Sequence, residues 1–177
     1  MSDALRAMRK AGPLVHCITN YVAMNISANV LLAAGASPAM IHTSEEAPDF
    51  AKIAGSLTVN IGTLSPHWVE GMKGAIKAAI AANVPWVFDP VAHFATPYRA
   101  GVAQEILAMT PTILRGNASE ILALSGQSSA AKGVDATDPV AVAEASAITL
   151  ANDLGSVVAI SGEQDFVTDG MRVARVS

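Results

Sequence analysis

Three positions in this 177-residue chain stand out chemically: Asp89, Arg115, and the tetrad Asn117-Ala118-Ser119-Glu120. Two carboxylates and a guanidinium suit a polyanion, because a hydrated Mg²⁺ can bridge carboxylates to phosphate oxygens while an arginine meets the phosphate directly. Asp89 and Arg115 each follow a short apolar run, where a charge is costly to desolvate unless it meets a partner, a metal or a ligand. For Arg115, structural pairing is an equal alternative. The tetrad also has two readings. Asn117 can cap a helix while Glu120 bonds back to the cap, a box that stabilises a helix by about 1 kcal/mol. Alternatively the same helix start points its amides at a ligand, and Glu120 holds a hydrated Mg²⁺ against a nucleotide phosphate with Asp89 as the second carboxylate. The presence of Asp89, Arg115 and Glu120 on one edge favours the Mg-nucleotide reading.

The other reactive residue types say less. His16 and Cys17 are adjacent on a predicted strand, so their side chains point to opposite faces and cannot form a dyad; Cys17 reads as a small buried residue. With one cysteine there is no internal disulfide and no structural zinc site. His42, His67 and His93 lack metal-ligand spacing. His67 falls in the first turn of a helix and reads as a surface residue, and His93, in the loop after Asp89, reads as solvent-exposed. Met40, at the end of a strand, reads as core on packing grounds alone.

These residues need a scaffold, and the sequence predicts one. Apolar, β-branched-rich runs at Leu14 to Ile18, Ser37 to Ile41, Leu57 to Ile61, Trp86 to Phe88, Thr112 to Leu114 and Val157 to Ile160 read as buried parallel strands. Helix starts lie between them: Thr43 with Glu46, Ser65-Pro66, Asn117 with Glu120, and Asp138-Pro139. Gly35, Gly55 and Gly155 stand where helices must stop. The alternation predicts an α/β fold of three layers, a mainly parallel sheet with helices on both faces, over one domain spanning 1–177. Phe166 to Ser177 alternates around Asp169-Gly170 and predicts a terminal antiparallel β-ribbon. Ser125 to Thr137, small and polar, reads as a mobile loop near a ligand. In such a sheet ligands bind beyond the carboxyl ends of the strands, where Thr19-Asn20, His42-Thr43, Gly62-Thr63, Asp89-Pro90, Arg115 to Asn117 and Ser161-Gly162 fall.

Composition sets the outer bounds. The chain is 51% hydrophobic and 15% charged, with a mean hydropathy of +0.40, which leaves apolar surface to be covered by a subunit interface. No apolar run approaches the ~18 residues of a membrane span, and Asp3, Arg6, Arg9 and Lys10 interrupt any signal-peptide core, so a cytoplasmic location is expected. A net charge of −4 with no basic cluster beyond Arg9-Lys10 argues against a nucleic-acid partner. No G-x-G-x-x-G follows a strand and no G-x-x-x-x-G-K-[ST] occurs, which disfavours a Rossmann dinucleotide site and excludes a P-loop.

Leu14-Val15-His16 with Ile18-Thr19-Asn20, Gly35-Ala36-Ser37-Pro38 running into Met40, Asn60-Ile61-Gly62-Thr63-Leu64, Asp89-Pro90-Val91, Arg115 to Glu120, and Ile160-Ser161-Gly162-Glu163 occur in one order. Together they resemble the hydroxyethylthiazole kinases, thiamine-salvage enzymes of the ribokinase-like superfamily. The resemblance implies ATP-dependent phosphorylation of the hydroxyl of 4-methyl-5-(2-hydroxyethyl)thiazole, with Mg²⁺ as cofactor, and a homotrimer with thiazole sites between subunits. It implies thiazole contacts at Met40 and Asn20, nucleotide contacts at Arg115, Asn117 and Ser161 (a threonine in the family), and Mg²⁺ and phosphate roles for Asp89 and Glu120. In that picture, cations offset charge on the transferring phosphoryl group.

Two departures from the family pattern stand out. Where the family has a glycine-rich D-P-V-G-x-G-A-T, this chain reads Asp89-Pro90-Val91-Ala92-His93-Phe94-Ala95-Thr96, which puts the loop shape and substrate size in question. The family's glycine-rich anion hole and reacting cysteine or aspartate lie beyond the terminal ribbon, so the resemblance implies that the C-terminal portion of the domain is missing. No residue of this stretch is then the catalytic group. The alternatives are a sibling kinase for hydroxymethylpyrimidine or pyridoxal, and a non-catalytic domain that binds a small molecule or oligomerises.

Overall fold

Short β-branched runs followed by helix-starting residues give a strand and helix alternation throughout the computed structural model, which describes residues 2–126 and 139–177. Among the described residues eight strands alternate with helices, mostly in parallel pairs, and the last strands are antiparallel, as expected. The chain divides into two compact units, one ending at Trp86 and one starting at Val87.

The first unit holds α1 (Ser2–Ala11), β1 (Leu14–Ile18), α2 (Met24–Ala34), β2 (Ser37–Ala39), α3 (Ala47–Ile53), β3 (Ser56–Asn60) and α4 (Pro66–Ala81). β1 is central, parallel to β2 with His16 opposite Ala39 and to β3 with Ile18 opposite Val59. Ile18, Leu57, Ile61, Met72 and Ile76 are fully buried in its core. Ser65 caps α4 as predicted, its hydroxyl accepting from the Trp68 amide at 3.3 Å. Gly35 ends α2 at φ +99°, again as predicted. The Thr43–Glu46 box does not form: α3 begins later, at Ala47, because Pro48 fits only the first helical turn and Glu46 makes no side-chain cap. Gly55 is not a helix stop either. Ala54 closes α3 in extended backbone, and the Gly55 amide already donates to the Leu14 carbonyl at 2.8 Å. The helix α2 has no buried residue and no charged one. Val22, Ile26 and Val30, at four-residue spacing, are exposed.

The second unit, entered through β4 (Trp86–Asp89), holds a 3₁₀ turn (His93–Ala95), α5 (Pro97–Leu107), β5 (Ile113–Asn117), α6 (Ala118–Leu124), α7 (Pro139–Leu154), β6 (Val157–Ser161), β7 (Asp165–Thr168) and β8 (Val173–Val176). β4, β5 and β6 are parallel; β7 and β8 run antiparallel. Phe88, Ile106, Leu114, Ile121 and Val158 are fully buried. Gly155 follows α7 at φ +63°, the predicted stop. The ribbon forms, but Thr168 pairs with Val173, so its loop has four residues rather than the pair Asp169-Gly170 alone. The Asp169 carboxylate closes that loop, accepting from the Met171 and Arg172 amides at 3.1 and 2.7 Å. Positions 127–137 of the expected loop, and Asp138 of the expected cap, lie outside the described residues.

Candidate active site

Parallel pairing of β4 with β5 and of β5 with β6 brings the carboxyl ends of three strands together in the second unit. Asp89 ends β4, and Arg115 donates to its carboxylate at 3.3 Å. Arg115 lies inside β5, not after it, and its side chain is 53% exposed. Its charge therefore stays hydrated, and the expected desolvation cost does not arise. Asn117 ends β5 opposite Ser161, whose hydroxyl lies 3.4 Å from the Gly116 carbonyl.

Both halves of the capping box are present. The Asn117 side chain accepts from the Glu120 amide at 3.0 Å, and one Glu120 oxygen accepts from the Asn117 amide at 2.8 Å. The other Glu120 oxygen reaches across to the loop after β4 and accepts from the Ala92 amide at 2.9 Å. Glu120 is 8% exposed, and a Cβ on Gly116 would sit 3.1 Å from its carboxylate, a close contact that the glycine avoids. The cap and the strand-end carboxylate are thus one group.

Ala92 adopts φ +47° and ψ +36°, left-handed backbone that glycine takes most easily. Arg99 holds this loop from the other side: its Nε donates to the Ala92 carbonyl at 3.1 Å and a terminal nitrogen donates to the Val91 carbonyl. Sequence reasoning passed over Arg99. The available signal was Thr96-Pro97, since the Thr96 hydroxyl caps α5 by accepting from the Arg99 amide at 3.2 Å and so places Arg99 in the first turn. His93 is buried, not solvent-exposed: the 3₁₀ turn tucks the ring inward, and burial pushes its pKa down. Phe94, in the same turn, is exposed and lies edge-on to the His93 ring at 5.4 Å. Beside Ser161, a cleft of about 520 Å³ is lined by Ala118, Gly162, Phe166, Glu144 and Arg175.

Asn20 and Met40 belong to the first unit. The Asn20 amide nitrogen donates to the Asn60 side-chain oxygen at 2.9 Å, and its oxygen accepts from the Ala23 amide at 2.8 Å. The Asn60 oxygen also accepts from the Gly62 amide at 2.9 Å, and any side chain at Gly62 would come within 2.6 Å of Asn20. Met40 lies just past β2, half-buried against Val15, Cys17 and Ala36. Cys17 is buried, as expected, and burial raises its thiol pKa. His16 is buried with its Nε2 at 2.7 Å from the Ile41 carbonyl, and burial lowers its pKa. His67 is exposed, as expected. Among the described residues no three His, Cys, Asp or Glu side chains group as metal ligands, and no helix is long and apolar enough to cross a membrane.

A family model described as the hydroxyethylthiazole kinase family matches residues 5–177. The chain belongs to the hydroxyethylthiazole kinase family. It is 63% identical over 176 residues to a hydroxyethylthiazole kinase of Gemmatimonas aurantiaca, an alignment covering 99% of this chain and 64% of that relative. A solved hydroxyethylthiazole kinase structure from Pyrococcus horikoshii OT3 superposes with a TM-score of 0.88 at 38% identity, covering 98% of this chain and 65% of that one. A pyridoxal kinase of Staphylococcus aureus, solved in complex with AMP-PCP and pyridoxal, shares the fold at a TM-score of 0.64 and 16% identity, over 92% and 69% of the two chains. The chain therefore spans about two thirds of the length of its hydroxyethylthiazole kinase family relatives.

Proposed function

We propose that this chain is the nucleotide- and thiazole-binding part of an enzyme of thiamine salvage that phosphorylates 4-methyl-5-(2-hydroxyethyl)thiazole. The γ-phosphoryl group of ATP passes to the hydroxyl oxygen of the thiazole side chain, and ADP leaves. The observation that carries this reading is membership of the family across residues 5–177. The strand-end cluster of Asp89, Arg115, Asn117 and Glu120 supplies the chemistry the reaction needs, which is largely positioning and charge neutralisation.

In this reading Arg115, Asn117 and Ser161 meet the nucleotide, and Met40 and Asn20 meet the thiazole. The cleft beside Ser161 supports the first assignment, and the fixed geometry of Asn20 supports the second. Asp89 and Glu120 fit Mg²⁺ as acceptors for the water shell of an ion carried in with the nucleotide. Both Glu120 oxygens already accept amide hydrogens, and among the described residues no third carboxylate joins the group as in a resident site. When bound, the ion offsets charge on the phosphate oxygens. Glu120 fixes the Ala92 loop, and Arg115, still hydrated, can turn to a phosphate. The exposed residues Val22, just before α2, and Ile26 and Val30 on the uncharged α2 support the homotrimer, and the family's chemistry fits a cytoplasmic setting.

Calorimetry of the 177-residue chain tests the reading. Binding of the thiazole alcohol, in preference to pyridoxal or hydroxymethylpyrimidine, and Mg²⁺-dependent binding of AMP-PCP are expected. Failure to bind the thiazole alcohol would overturn it, whether or not AMP-PCP binds. Because no residue here is assigned as the catalytic group, binding without robust turnover is the expected result with Mg-ATP.

A further inference from the structure

Trp68 is buried at 4% exposure in the first turn of α4, and its ring meets aromatic side chains from two loops. His42 packs over it with ring centroids 4.3 Å apart at 34°, and Tyr21 packs against it at 5.1 Å and 59°. Tyr21 directly follows Asn20, and His42 stands two residues after Met40. One turn further along α4, a side chain at Gly71 would come within 2.0 Å of the His42 carbonyl oxygen, so the helix seats that loop by its backbone as well. The Tyr21 amide donates to the Thr63 hydroxyl at 3.3 Å, tying the first loop to the segment between β3 and α4.

We infer that Trp68 is a positioning residue: its indole fastens the loop after β1 to the loop after β2 and so fixes Asn20 and Met40 relative to each other. Aromatic rings at these separations attract through offset and tilted contacts, which resist sliding of either loop along the indole face. The substrate consequence rests on the proposed thiazole roles of Asn20 and Met40; the clamp itself does not.

Hydrogen exchange on the whole 177-residue chain reads the clamp directly. Trp68→Leu is expected to speed amide exchange about tenfold in residues 19–23 and 40–44 together, while β1 and β3 stay protected. Tyr21→Ala loosens only the first segment and His42→Ala only the second, and these exposed or half-buried sites keep the test available if Trp68→Leu fails to fold. Trp68→Phe restores most of the protection. By calorimetry, Trp68→Leu weakens thiazole-alcohol binding about tenfold and leaves AMP-PCP binding within about twofold. A uniform rise in exchange across the first unit, or loops that stay protected in both single-ring variants, would overturn the inference. If the wild-type chain binds AMP-PCP but no thiazole alcohol, the functional reading fails, and the exchange pattern alone decides the clamp.

Discussion

The Glu120 carboxylate accepts the Ala92 amide at 2.9 Å across 28 residues of chain, and Ala92 is a non-glycine residue at φ +47°. The loop keeps a glycine's backbone without the glycine. Left-handed backbone costs an L-residue roughly 1–2 kcal/mol, so the contacts from Glu120 and Arg99 must outweigh that strain.

Ala92→Gly is therefore expected to be neutral or to stabilise by up to about 1 kcal/mol, relief of strain being partly offset by the extra freedom of the unfolded chain. Ala92→Val, β-branched, should destabilise by more than about 1 kcal/mol. Urea unfolding followed by circular dichroism measures both, and a stability loss in the glycine variant would count against the loop geometry.

Glu120→Gln places an amide NH₂ where one of two backbone N–H groups now finds an oxygen. A stability loss of about 1–3 kcal/mol is expected from the unpaired donor. Mg²⁺-dependent AMP-PCP affinity should fall about tenfold, with thiazole-alcohol affinity nearly intact. Equal weakening of both ligands would reduce Glu120 to a helix cap.

Arg115→Met separates pairing from ligand contact. The Arg115–Asp89 pair is half-exposed on the arginine side, so its loss should change stability by under about 1 kcal/mol. Nucleotide affinity should drop about tenfold, since a charge-assisted phosphate contact is lost. Unfolding curves and AMP-PCP titration on the same sample distinguish the effects; a large stability loss with unchanged affinity would assign Arg115 to structure.

Acid should destabilise the chain through two histidines. Burial is the main cause that lowers both pKa values, opposed at His16 by the Ile41 carbonyl and Glu46, and at His93 by the Pro90 carbonyl and Glu120, while Arg99 lowers His93 further. As pH falls through about 6.5 the unfolded chain takes up protons that the folded chain still refuses, so stability declines. Above that value both rings are neutral in both states and this contribution is flat. Thermal unfolding between pH 7.5 and 5.5 should show a falling Tm, with a shallower slope in His93→Gln. A Tm that rises on acidification would contradict the buried neutral state.

Local chemistry was the legible part of this molecule. Leu14–Ile18 forms the expected strand, and Ser65-Pro66 and the Asn117–Glu120 box act within four residues of themselves, where spacing alone specifies the bonds. The Thr43–Glu46 box has the same spacing and fails because Pro48 delays the helix. His93 read as exposed since a loop position says nothing of a turn that folds its ring inward. Thr96-Pro97 could place Arg99 in a first helical turn, but its partners were not legible, because its acceptors are the Val91 and Ala92 carbonyls and every residue has a carbonyl. Asp89 and Arg115 stood out in the sequence as candidates by type, but their ion pair depended on strand pairing that places positions 26 apart side by side.

The last strand, β8, sets a practical condition on any of these measurements. All four of its residues are exposed, and among the described residues it stands at the end of the strand order. Such an edge invites intermolecular pairing and fibril growth. Arg175 interrupts the otherwise apolar run from Val173 to Val176, anchored to Glu144 at 2.8 Å and lying over the Phe166 ring. It acts as a gatekeeper, and neutralising it should turn a well-behaved preparation into one that aggregates with time.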